Sequence, residues 1–220
     1  MIYVVRHGET IWNRARRRQG HDDSPLTLRG IQQAMAFGER LRHAVGVNIQ
    51  ELAIVSSPLG RARQTASIIC ESMGLDPNDA LSFDPLLAEH NFGAWEGLKD
   101  EEIELRFPGA LEQRRGDPWN YLVPEGERYA DLFERASRWL GQPRPRRITV
   151  AVTHAMTSRA LRGAYLELSR REMQELLHTQ DRIFRLDAGR VSELLCATGN
   201  AGAGFESPPP RLATSRRLGP

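Results

Sequence analysis

No stretch of the 220-residue chain approaches the ~20 consecutive apolar residues of a membrane-spanning helix, so no membrane partner is expected. Cysteine is equally scarce. Cys70 and Cys196 stand far apart in apolar surroundings, which predicts buried, reduced thiols in place of a disulfide framework. An excess of one charge is missing as well. The formal +2 is carried entirely by the last twenty residues, where Arg211, Arg216 and Arg217 face the single acid Glu206, and residues 1–200 balance to zero. A neutral body has no basic face for a polyanion, so no nucleic-acid partner is expected. The chain also opens directly on an apolar run, which leaves no room for a cleaved leader and makes the cytoplasm the expected location.

What is present is an alternation. Short β-rich runs occur at Ile2–Val5, Leu52–Val55, Ile148–Val152 and Ile183–Leu186, and Val191–Leu195 follows the last across Asp187-Ala188-Gly189 as a hairpin partner. Helical patterns lie between them. Thr27 suits the cap of a helix from Leu28 to about His43, and Pro58 the start of one running to Met73. Further helices are expected over Lys99–Phe107, over residues 125–140, over Thr157–Leu168 and over Glu172–Leu177.

Short, nearly all-apolar strands between helices predict an α/β fold: a three-layer α/β/α sandwich with a mostly parallel central sheet containing an antiparallel edge strand from the closing hairpin. Residues 1–198 read as one domain. Within it, 84–125 has few strand signals and many Gly, Pro, Glu and aromatic residues, which predicts an excursion over one end of the sheet. From 199 to 220 the composition turns to Gly, Ala, Pro, Ser and Arg, including Pro208-Pro209-Pro210, and predicts a disordered tail.

Three of the apolar runs end in chemistry. Ile2–Val5 leads into Arg6-His7-Gly8-Glu9-Thr10, Leu52–Val55 into Ser56-Ser57-Pro58-Leu59-Gly60-Arg61, and Ile148–Val152 into Thr153-His154-Ala155. In a mostly parallel sheet the carboxyl ends of strands share an edge, and ligands bind there. Arg6, His7, Arg61 and His154 are thus expected to converge. Two arginines offer charged planar forks for phosphoryl oxygens. A neutral histidine can form a covalent intermediate, and a second histidine, if protonated, can stabilise developing charge. Gly8 would let the backbone approach the phosphate and offer its N–H. A leaving alkoxide needs a proton, and Glu89 in Ala88-Glu89-His90-Asn91-Phe92-Gly93 is the best-placed carboxylic acid.

These motifs, in this order, resemble the histidine phosphatase superfamily, also called phosphoglycerate-mutase-like. The likeness takes in Arg6-His7-Gly8-Glu9-Thr10 with Trp12-Asn13, Gln19-Gly20, Asp23-Ser24-Pro25-Leu26-Thr27, Ser56-Ser57-Pro58-Leu59 with Arg61-Ala62, and Gln64-Thr65-Ala66. It continues through Glu89, Phe92-Gly93-Ala94-Trp95-Glu96-Gly97 and Val152-Thr153-His154, covering about residues 1–195. The resemblance implies that His7 is the phosphorylated nucleophile and that Glu89 is the proton donor. It implies that Arg6, Arg61 and His154 complete the phosphate pocket, with Gly8, Asn13, Gln19, Gly20 and Ala155 lining the substrate side. It implies no metal and no cofactor, the arginines supplying the countercharge.

The chain also departs from the pattern. Where relatives commonly carry Gly after the second histidine, this sequence has Ala155 and Met156, and the frequent Gly-Glu-Ser reads Gly126-Glu127-Arg128. Such changes bear on the substrate, not on the phosphoryl chemistry. The run Arg14, Arg16, Arg17, Arg18 has two readings: a solvated face, or a field that draws phosphorylated substrates in.

The expected function is metal-independent hydrolysis of a phosphomonoester, a small phosphorylated metabolite, through a phosphohistidine. Phosphoglycerate mutase activity is the alternative. Only 65 residues separate Glu89 from His154, and the longer insertion usual in the family's mutases is lacking, although Arg114-Arg115 would suit a second phosphate or a carboxylate. A non-catalytic phospho-ligand binding protein on the same scaffold would be expected to lack His7 or Glu89, and both are present. An exposed sheet edge is compatible with a homodimer.

Overall fold

The computed structural model describes residues 1–144 and 146–196. The tail expected to be disordered lies outside the described residues. In chain order the elements are β1 (Ile2–Arg6), α1 (Ile11–Arg14), α2 (Leu28–Val45), β2 (Leu52–Ser56), α3 (Gly60–Met73), α4 (Pro77–Ala80) and β3 (Leu81–Phe83). There follow α5 (Asp100–Arg106), α6 (Ala110–Gly116), α7 (Tyr129–Gly141), β4 (Ile148–Thr153), α8 (Ala155–Tyr165), α9 (Arg170–Glu175), β5 (Arg182–Asp187) and β6 (Arg190–Leu195).

The strands form one sheet in the order β3-β2-β4-β1-β5-β6. β3, β2, β4 and β1 are parallel; β5 runs against β1, and β6 turns back along β5 to close that edge. β1 shows why both faces must be covered. Tyr3 and Val5 point into one core with Phe37 and Leu41 of α2 and Ile69 of α3, while Ile2 and Val4 point into the other with Leu132 and Trp139 of α7 and Leu161 of α8. A strand apolar on both sides is stable only between two helical layers. Leu132, Ala136 and Trp139 sit at helical spacing and form the buried stripe of α7.

Helix ends follow local chemistry. The Thr27 hydroxyl accepts the Gly30 N–H at 3.0 Å and caps α2 as expected, whereas α8 begins two residues before the predicted Thr157, its first-turn N–H groups of Met156 and Thr157 being taken up by the Glu89 carboxylate. β3 was not legible in the sequence: Leu81-Ser82-Phe83 is too short for any period to show. The excursion 84–125 holds a small core of its own, centred on Trp95, Ile103 and Val123. Cys70 and Cys196 are buried and unbonded. Among the described residues no helix is long and apolar enough to cross a membrane.

Gly8 and Gly30 bring the exit of β1 against the first turn of α2. A Cβ on Gly8 would come 2.3 Å from the Gly30 carbonyl oxygen, and one on Gly30 would come 2.1 Å from that of Glu9. Both obstacles are backbone and cannot swing aside. Gly30→Ala should therefore destabilise the protein by about 1–3 kcal/mol, as overpacking does. Gly116→Ala, with nothing within 4 Å of its added methyl, should be neutral or stabilise by up to about 1 kcal/mol. Urea unfolding of both variants checks this; equal midpoints would contradict the packing argument.

Candidate active site

The order β2-β4-β1 brings three strand ends together. Arg6 stands in register with Thr153 and Ser56 with Val152. One residue further on, the His7 N–H donates to the Thr153 carbonyl and the Ser57 N–H to the Val152 carbonyl, each at 2.9 Å. His7, Ser57 and His154 therefore leave the sheet side by side, and the rings of His7 and His154 lie 5.1 Å apart, tilted by 58°.

The tautomer of His7 follows from its neighbours. Nδ1 lies 2.8 Å from the Gly8 carbonyl, which can only accept, so Nδ1 carries the proton. Nε2 then holds the lone pair, and Arg61 Nε–H donates to it at 3.3 Å. Burial, helped by the charges of Arg61 and Arg6, holds His7 well below the ordinary histidine pKa. These surroundings favour the neutral ring and fix its lone pair on Nε2.

Arg61 is 2% exposed, and four of its five N–H groups are taken up by backbone and side chains. Nη1 donates to the Asp22 carbonyl at 2.7 Å and to Asp23 Oδ1 at 2.8 Å, and Nη2 to the Gly20 carbonyl at 2.7 Å. Asp23 also accepts the N–H groups of Gly60 and Arg61 at the start of α3, so one carboxylate fixes both helix and guanidinium. Arg6 Nη1 donates to the His178 carbonyl at 2.6 Å. Burial lowers Arg6 to about 10, with Glu89 opposing that shift, and it remains a cation at neutral pH.

His154 is fully buried. Its Nε2 lies 2.7 Å from Ser57 Oγ, and its Nδ1 has no partner among the described residues. Burial, then Arg61 and His7, hold its pKa well below the usual value. The protonated form considered from the sequence is disfavoured by these surroundings. What His154 brings is a neutral ring with a buried nitrogen still able to bond an oxygen.

Glu89 reaches the same edge from the excursion. Its Oε1 accepts the N–H groups of His90 at 2.9 Å, Met156 at 3.2 Å and Thr157 at 3.3 Å, and the Thr157 hydroxyl at 3.3 Å. Its carbonyl is held separately by Arg135 Nη2 at 2.7 Å and His21 Nε2 at 3.0 Å. Arg135 also binds the Leu86 and Ala88 carbonyls and pairs with Glu127 at 2.9 Å. The departure at Met156 is harmless to this arrangement, because the contact uses its backbone N–H. Arg128 is exposed.

Other expected site residues fall in less direct places. The Gly8 N–H donates to Thr65 Oγ1 at 3.1 Å and is not presented to a phosphate; glycine is needed there for the approach to Gly30. Asn13 forms a capping box with Thr10, and its Oδ1 also accepts Gln180 Nε2–H at 3.1 Å. The Gln19 amide is engaged within its loop, donating to Thr10 Oγ1 at 2.8 Å. Gly20, at φ +55°, supplies its carbonyl to Arg61, and Ala155 is the first residue of α8.

Asp23, Ser57, Arg135 and Gln180, which also bonds the His7 carbonyl at 2.9 Å, were not expected as positioning residues. Asp23 and Ser57 sit inside quoted motifs, but nothing local marks their partners. Arg17 and Arg18 likewise take neither expected role. They pair with Glu102 and Asp100, each at 2.7 Å, and staple the excursion to the first loop.

Comparison with known proteins agrees with this geometry. A family model, histidine phosphatase superfamily (branch 1), matches residues 2–194. A probable phosphoglycerate mutase, GpmB, of Salmonella arizonae is 40% identical over 134 residues, 61% of this chain but only 58% of that relative's length. Among solved structures, Bacillus stearothermophilus YhfR superposes with a TM-score of 0.73 at 30% identity, covering 88% of this chain and 95% of its own. A mycobacterial glucosyl-3-phosphoglycerate phosphatase gives 0.69 at 28% identity, covering 88% and 96%. The match spans every element that carries His7, Arg61, Glu89 and His154, and the chain belongs to the histidine phosphatase superfamily, branch 1.

Proposed function

We propose that the protein hydrolyses a phosphomonoester of a small metabolite through a phosphohistidine on His7. The observation that carries this reading is the fixed tautomer: Nδ1–H held by the Gly8 carbonyl leaves the Nε2 lone pair beside the Arg61 guanidinium. Nε2 attacks phosphorus in line as the bond to the ester oxygen breaks. Arg6, Arg61 and His154 stabilise the charge on the equatorial oxygens. Glu89, as the acid, gives its proton to the leaving oxygen. Water then attacks the phosphohistidine, Glu89 takes a proton from it, and the P–N bond breaks to release phosphate and neutral His7.

Mutase activity is a second reading, supported by the name of the Salmonella relative. Product analysis with 3-phosphoglycerate, with and without 2,3-bisphosphoglycerate, separates free phosphate from an isomerised product.

His7→Ala should abolish turnover and the trapping of labelled phosphate on the protein. Retained labelling would remove His7 from its role. Glu89→Gln should slow alkyl phosphates far more than p-nitrophenyl phosphate, whose leaving group needs little protonation. Equal losses would assign Glu89 to binding alone.

The buried histidines give opposite pH signatures for activity and stability. His7 and His154 lie well below the usual value, and His90 is lowered to about 3, by burial first and Arg114 next. Each takes up a proton on unfolding once the pH falls below its unfolded pKa of ~6.5. Their neutral burial is therefore free of penalty above that pH, and stability falls below it by up to about 1.4 kcal/mol per pH unit for each histidine. Activity of the folded enzyme, corrected for ionisation of the ester, should show no loss on acidification through pH 6.5. A kcat/KM limb near 6.5 would mean that His7 titrates as an ordinary histidine.

A further inference from the structure

Beside the phosphate site lies a cavity whose lining includes Trp119, Tyr129 and Met156 on its apolar side and Arg114, Arg159 and Arg170 on its basic side. Two routes of direct contact join it to the catalytic groups. Met156 lines it with its side chain while its N–H binds Glu89. Arg159 Nη2 donates to His178 Nδ1 at 2.8 Å, and the His178 carbonyl holds Arg6.

The cavity is chemically incomplete. Tyr129 is 8% exposed, yet its Oη has no hydrogen-bond partner among the described residues, and neither does the buried Nε of Arg159. Among those residues none of the three arginines has a carboxylate within 4 Å. Arg170 lies over the Trp119 ring at 4.6 Å and Arg114 over Phe92 at 5.4 Å, so both are braced by aromatic faces, not by anions. Buried polar atoms without partners are rare in folded proteins and call for an explanation. Arginine forks are matched to carboxylate and phosphate geometry.

We infer that this cavity receives the leaving group of the substrate, and that the leaving group has a flat or apolar body ending in a second anion, a carboxylate or a phosphate. The body rests between Met156 and the Trp119 and Tyr129 rings. The anion takes the free donors of Arg114, Arg159 and Arg170, with the Tyr129 hydroxyl beside it. The inference rests on the phosphomonoester reading of the adjoining site and names the class of ester that fits it.

Non-hydrolysable ligands test the cavity without relying on turnover. Calorimetric titration should compare benzylphosphonate, 4-carboxybenzylphosphonate and p-xylylene bisphosphonate. At least one of the two ligands with a second anion should bind tenfold or more tightly than benzylphosphonate, and the tighter of the two identifies carboxylate or phosphate as the terminal group. In an Arg114→Gln, Arg170→Gln double variant that advantage should fall below threefold. Tyr129→Phe, which removes only the hydroxyl, should weaken the doubly charged ligand more than benzylphosphonate. Equal affinities for all three ligands, or an advantage that survives the double substitution, would overturn the proposal. Turnover of phenyl phosphate and labelling of His7, measured alongside, report separately on the hydrolytic reading.

Discussion

The interaction on which the site depends is the burial of the Arg61 guanidinium. A permanently charged, planar group can be withdrawn from water only if its N–H groups find acceptors, since an unpaired buried charge costs several kcal/mol. Here the acceptors are carbonyls of the 20–22 turn, the Asp23 carboxylate and the lone pair of His7. Satisfying the arginine therefore shapes the loop, anchors α3 and orients the His7 ring in a single act. The same charge that fixes His7 also helps keep it unprotonated. One cation thus contributes to both the position and the protonation state of His7.

From that centre the constraint passes outward. The loop that wraps Arg61 is tied to the excursion by Glu96, whose carboxylate accepts the N–H groups of His21, Asp22 and Phe92. Gly20 is glycine for two reasons: its φ of +55°, and the Glu96 oxygen that would stand 1.9 Å from a Cβ. Arg17 and Arg18 add ion pairs across the same seam. Exposed pairs of this kind contribute little stability alone. Their effect is to give the excursion one seating, and with it Glu89. The carboxyl group of Glu89 meets α8 while Arg135 clamps its backbone, so Glu89 is set by two elements that do not otherwise hold Arg61.

The strand ends were legible in the sequence because buried parallel strands read as short apolar runs, and topology alone then places His7, Arg61 and His154 on one edge. Glu89 was legible only through its motif. What stayed hidden were partners. Asp23, Ser57, Arg135 and Gln180 look like any polar residue until the chain brings to them groups 38, 97, 46 and 173 residues away. The ion pairs of Arg17 and Arg18 stay hidden for the same reason, since a pairing with residues 80 or more positions on has no local signature; Arg14 and Arg16 are exposed, as a solvated face requires. The sequence suggests close approach at Gly8 to a phosphate, and the group the structure brings against it is the backbone of Gly30.

The choice between hydrolysis and return transfer is not written in His7, Glu89 or the arginines around them, because both reactions share the first half-step. On the proposed mechanism it is a competition between water and the dephosphorylated product for the same phosphohistidine. A product that leaves faster than water attacks gives a phosphatase; one that stays and reorients gives a mutase. The groups that set this ratio are therefore those that retain the leaving group after the P–O bond breaks. In the site proposed here they are Arg114, Arg159 and Arg170 in the neighbouring cavity. They belong to α6, α8 and α9, none of which supplies the nucleophile or the acid. Changes in that wall can shift the outcome while Arg61 and its acceptors stay as they are, which gives a physical reason why one catalytic centre can serve phosphatases and mutases alike.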